Sequence, residues 1–110
     1  METISHPPAN LFQALADPSR LLVVQTLSAG PRRAGELAER SKLSPPTMSK
    51  HLKVLLDAGI IVDRRDATDA RVRQFELRVD QIRSLAAWCD GLQAEWNTQL
   101  NAFKRHVEKR

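Results

Sequence analysis

At 110 residues and a formal net charge of +4, the chain has room for one modest hydrophobic core and not two, so one compact domain over 1–110 is expected. Charged residues make up 27% of it, and the placement of the basic ones therefore matters more than their small excess. Cys89 is the only cysteine, which excludes an internal disulfide or a multi-thiolate metal cage, and the absence of tyrosine with 5% aromatics leaves no stacking platform for single-stranded nucleic acid.

In chain order, residues 1–8 read as a loose terminus ending in Pro7 and Pro8, followed by a short helix, ANLFQALA, with Leu11, Phe12, Leu15 and Ala16 at helical spacing. A second helix begins at DPSRLLVVQTL, where Asp17 caps, Pro18 occupies the first turn and Leu21, Leu22, Val24 and Leu27 form the expected apolar stripe. The segment SAGPRR is a loop, and AGELAERS is a third helix with Leu37 and Ala38 inward. KLS turns the chain into a fourth helix, where Ser44 is the N-cap and Pro45 and Pro46 take the first helical positions, which need no intrahelical N–H. On that helix Met48, Leu52, Leu55 and Leu56 share an inward face.

After Gly59 the period changes. IIVDRR and VRQFELR are β-branched or alternating runs separated by the turn residues DATDA, which predicts a two-stranded hairpin over 60–78. From residue 80 to 110 a helical period returns, with Ile82, Leu85, Cys89, Leu92, Trp96, Leu100, Phe103 and Val107 three or four residues apart. A helix this long cannot bury its stripe inside a small monomer, and a second copy of the chain is the simplest partner. Leu85, Cys89, Leu92, Trp96, Leu100 and Phe103, with Leu11 and Phe12 of the first helix, are the expected dimer interface. Cys89 is expected as a small apolar residue on that stripe, an interchain disulfide being the alternative.

The order helix, turn, helix and basic hairpin is that of a winged helix-turn-helix, mainly α with a small β wing, with the helix-turn-helix over 34–58. The fourth helix then enters the major groove of duplex DNA, whose width admits one α-helix. Its outward residues are the candidate contacts. Ser44, Thr47, Ser49 and Lys50 supply polar groups near base edges, with lysine most naturally on guanine. Pro45 and Pro46 cannot donate there and offer apolar contact, while His51 and Lys53 are positioned for phosphate or for orienting the helix. Arg64, Arg65, Arg71 and Arg73 bracket the hairpin tip, with Arg71 and Arg73 preferred as DNA contacts, although Asp63, Asp66 and Asp69 interleave with them and could pair with some. A solvated amphipathic helix is the plain alternative for the fourth helix taken alone, and a winged-helix protein-interaction module that does not read DNA is the alternative for the whole.

LADPSRLLVVQTLSAGP together with AGELAERSKLSPPTMSKHLKVLLDAGIIVDRRDATDARVRQFEL resembles the ArsR (ArsR/SmtB) family of bacterial winged-helix repressors. The pieces that carry the resemblance are Asp17-Pro18-Ser19-Arg20, then Ser49, His51-Leu52 and Leu55, and Ala58-Gly59 before the hairpin. It implies a homodimeric, sequence-specific repressor on a pseudo-palindromic operator, released by an inducer that the sequence does not identify, whether small molecule or redox signal. The family's metal sites use Cys-x-Cys on the third helix, where this chain has AGELAER, or aspartate and histidines on the last helix, where Asp90 and His106 stand far apart. No metal and no cofactor is therefore expected. An enzyme is not expected either, since no paired carboxylates, nucleophile–base pair or glycine-rich phosphate loop occurs at useful spacing. No apolar run reaches the roughly 18 to 20 residues of a membrane span, and METISHPPANLF lacks the regions of a signal peptide, so a cytoplasmic protein without a membrane partner is expected.

Overall fold

The structure is a computed structural model that describes residues 8–108; the sequence expectations for 1–7 and for the last two residues of 80–110 lie outside the described residues. Five helices and one hairpin follow in the order α1 (Ala9–Leu15), α2 (Pro18–Leu27), α3 (Ala34–Ser41), α4 (Pro45–Asp57), β1 (Ile61–Arg65), β2 (Arg73–Leu77) and α5 (Val79–Glu108). Mainly α with a two-stranded wing is thus the observed architecture.

Each helix boundary has a local cause. At α2, the Asp17 carboxylate accepts from the Ser19 and Arg20 N–H groups at 2.8 and 3.2 Å, and Pro18 sits where its missing donor costs nothing. Helix α3 ends at Lys42 in the left-handed region, φ 57°, with the Leu43 N–H returned to the Ala38 carbonyl at 3.0 Å. That compact reversal is the turn that swings α4 across α3. Helix α4 ends on Gly59 at φ 78°, where the Ile60 N–H reaches the Leu55 carbonyl and the Gly59 N–H the Leu56 carbonyl, both at 3.0 Å. Leu55 and Ile60, both fully buried, close this motif with an apolar contact.

β1 and β2 pair antiparallel in the register Ile61 with Leu77 through Arg65 with Arg73. The loop before α3, expected as plain connection, adds a short third rung: Arg32 exchanges two backbone hydrogen bonds with Phe75, at 2.8 and 3.1 Å. This rung fastens the wing to the helical body.

The core gathers Leu11, Val23, Leu27, Leu37, Met48, Leu52, Leu55, Ile60, Ile61, Phe75 and Leu85. Met48, Leu52 and Leu55 face it as expected of α4, while Leu56 is half-buried. On α2 the phase differs from expectation: Val23 and Leu27 are buried, whereas Leu21 and Leu22 remain 46% and 38% exposed.

Two residues expected at a dimer interface belong to this core instead. Leu11 and Leu85 are 4% and 8% exposed within the single chain, because α1 lies against α2 and α4 and the start of α5 seats Leu85 on the body. Beyond that point α5 departs. From 93 to 108 every residue is exposed, and the molecule extends over 69 × 28 × 22 Å. Its radius of gyration of 19.1 Å compares with about 13 Å for a compact chain of this length.

Candidate nucleic-acid interface

Helix α4 presents a continuous polar and apolar edge opposite its buried face. Ser44, Pro45, Pro46, Thr47, Ser49, Lys50 and Lys53 are all exposed, and His51 is half-buried at the margin. The start is rigid: the Ser44 hydroxyl accepts from the Thr47 N–H at 3.4 Å and donates to Thr47 Oγ1 at 2.9 Å. Lys50 takes no part in the ion pairs found among the described residues, whereas Lys53 reaches Asp57 at 3.2 Å one turn along. Both members of that pair are well exposed, so it is a weak tether that a phosphate can displace.

His51 is held from behind. Arg20 Nη1 lies 3.1 Å from His51 Nδ1, and the same guanidinium donates through Nε to the Ala14 carbonyl at 2.5 Å and through Nη2 to that of Gln13 at 3.5 Å. Arginine is always a donor, so Nδ1 is the acceptor and Nε2 carries the ring proton. One side chain therefore joins the end of α1, the start of α2 and the middle of α4. Asp17 stands beside it. Burial pushes its carboxyl upward, but the Arg20 and Ser19 N–H donors with the charge of Arg20 hold it below the usual value on balance. The sequence places Arg20 in a helix opening and gives no sign of its span to His51.

The wing arginines are less free than their number suggests. Arg64 Nε donates to Glu76 at 2.6 Å across the ladder, Arg73 Nε to Asp63 at 2.8 Å, and Arg71 forks onto both Asp69 oxygens at 3.1 and 3.2 Å. Arg73 also lies over the Phe75 ring, 5.2 Å from its centre. The Arg73 hydrogen bond holds the Asp63 carboxyl below the ordinary range, and that of Arg71 does the same for Asp69. Asp66 is lowered by the Thr68 hydroxyl and backbone N–H. Among the described residues, Arg65 has only the Ala70 carbonyl at 3.5 Å as a hydrogen-bond partner. The residues favoured from sequence, Arg71 and Arg73, are thus both paired, and Arg65 is the least committed of the four.

On the remaining candidate surface, Trp96, Leu100 and Phe103 are 57%, 53% and 66% exposed, Leu92 is half-buried and Cys89 is exposed. Phe12 stands edge-on to Trp88 with ring centres 5.5 Å apart, which ties α1 to α5. Among the described residues, no three His, Cys, Asp or Glu side chains converge as a metal shell, and no helix is long and apolar enough to cross a membrane.

This arrangement recurs in known proteins. A family model described as a helix-turn-helix domain matches residues 15–64. An HTH-type transcriptional regulator of Mycobacterium tuberculosis is 36% identical over 101 residues, covering 92% of this chain and 89% of that one. The biofilm growth-associated repressor of Xylella fastidiosa is 35% identical over 82 residues, covering 74% and 72%. Among solved structures, the crystal structure of an ArsR family transcriptional regulator superposes with a TM-score of 0.72 at 33% identity, covering 84% of this chain and 98% of that one.

Proposed function

The chain belongs to the ArsR family of winged helix-turn-helix transcriptional regulators, and from that premise we propose that it works as a homodimer whose two α4 helices read a pseudo-palindromic DNA operator. It is a DNA-binding transcriptional repressor and not an enzyme. The observation that most supports the assignment of the reading surface is the exposed edge of α4, unpaired Lys50 included, set rigidly over the buried Met48, Leu52 and Leu55. In this reading Thr47, Ser49 and Lys50 meet base edges, and His51 Nε2–H and Lys53 meet phosphate. Arg65 reaches the backbone beside the wing, with Arg64, Arg71 and Arg73 joining by exchanging an exposed carboxylate for a phosphate. The second copy binds along α5 through Cys89, Leu92, Trp96, Leu100 and Phe103, with Phe12 at the margin. The expected operator then has half-site centres about 34 Å apart, one turn of DNA. No resident metal or cofactor enters this reading, and the inducer is left open.

Selection of duplexes from a random pool, followed by anisotropy titration, tests it. A palindromic preference should emerge, with affinity falling steeply as salt rises. Lys50→Ala should weaken the preferred duplex about 10- to 100-fold, and scrambled duplexes far less, since a good base contact is worth roughly 1–3 kcal/mol. Equal losses on both would remove Lys50 from the base-reading set.

A further inference from the structure

The first turn of α4 has no hydrogen-bond donor left on its backbone. Pro45 and Pro46 carry no N–H, the Thr47 N–H is taken by the Ser44 hydroxyl at 3.4 Å, and the Met48 N–H by the Ser44 carbonyl at 3.0 Å. A helix start ordinarily offers these groups to a phosphate; here two exposed pyrrolidine rings stand in their place. Neither ring belongs to the core. On the helix surface, residues four apart share a ridge, so Pro45 lies one turn ahead of Ser49, and Pro46 one turn ahead of Lys50. The leading turn therefore carries two apolar rings beside Ser44 and Thr47, with the polar Ser49 and Lys50 one turn behind them.

In the major groove the chief apolar group displayed by a base pair is the thymine 5-methyl. We propose that Pro45 and Pro46 form a donor-free edge that selects thymine methyl groups next to the base pair addressed by Lys50, and so set the base preference of this chain. The proposal rests on the DNA-reading function above and deepens it. Desolvating one methyl is worth about 0.8 kcal/mol, or roughly fourfold in affinity, and roughly fifteenfold when both halves of a symmetric site contribute.

The probe is the selected duplex with each thymine replaced in turn by uracil, which deletes the methyl and leaves pairing intact. The wild-type chain should lose about fourfold at one thymine in a half-site and about fifteenfold when the symmetry-related thymine is replaced too. A Pro45→Ala/Pro46→Ala chain should bind the two duplexes within about twofold of each other. Pro46→Gln, which keeps one ring and adds an amide suited to adenine, should shift the selected base at that step, and its helix content is checked by circular dichroism. A wild-type chain indifferent to uracil throughout, or a penalty that survives undiminished in the double-alanine chain, overturns the proposal. A chain that prefers no duplex overturns the operator-reading function beneath it.

Discussion

At the residue scale, the wing shows how charge placement and charge availability part company. The sequence allows the wing arginines to pair with Asp63, Asp66 or Asp69 without saying which: Arg71 takes Asp69, two residues before it, whereas the partner of Arg73 depends on which carboxylate the strand register brings opposite. Pairing Arg64 with Gln74 and Asp63 with Phe75 sets Asp63 within reach of Arg73, and Arg64 within reach of Glu76. The Asp63 pair carries a pH signature. Its carboxyl is held below the ordinary value by the Arg73 hydrogen bond, so the folded state binds a proton less readily than the unfolded one. The resulting stabilisation is complete above the unfolded value of about 3.8 and disappears as pH falls through the lower folded value. Asp63→Asn should therefore lower the melting temperature at pH 7, by at most about 4 °C for so exposed a pair. The deficit should shrink below pH 4; the same deficit at pH 7 and pH 3 would assign the effect to packing.

The elements themselves are largely legible, because caps and period changes are local. Asp17-Pro18, Ser44-Pro45-Pro46 and Gly59 mark boundaries that the structure keeps, and Met48, Leu52 and Leu55 face inward at their expected spacing. Helix α2 is where the pattern misleads: Leu21, Leu22, Val23 and Val24 make one apolar run, and a run without interruption has no phase from which to choose a buried side. Packing against α3 and α4 selects Val23 and Leu27. The rung of Arg32 with Phe75 and the span of Arg20 to His51 join residues 43 and 31 positions apart, beyond any local signal. Arg20→Met preserves much of the side chain's bulk while leaving the Ala14 carbonyl and His51 Nδ1 without their donor. It should cost about 1–3 kcal/mol in urea unfolding. Operator affinity should fall as well, since the α4 helix loses its rear anchor. Full affinity in a destabilised Arg20→Met chain would show that the anchor serves the fold alone.

For the whole molecule, the length of α5 was readable and its division was not. One stripe of period 3.6 covers two surfaces: Leu85 completes the chain's own core, while Trp96, Leu100 and Phe103 find no cover in it. Leu85→Ala should lower stability by about 2–5 kcal/mol. Trp96→Glu/Phe103→Glu should leave the winged body folded but sediment as a monomer and bind the operator weakly; a dimer unchanged in sedimentation would move the interface elsewhere. The stretch 93–108, roughly 24 Å of helix, continues α5 with no packing support from its own body, and most helical stability in proteins comes from such packing. With a second copy as its support, the order of this segment follows mass action. In the proposed dimer the chain's own abundance then acts as a ligand, so the share of chains with an ordered 93–108 segment, and with it the grip on DNA, would rise with the level of synthesis.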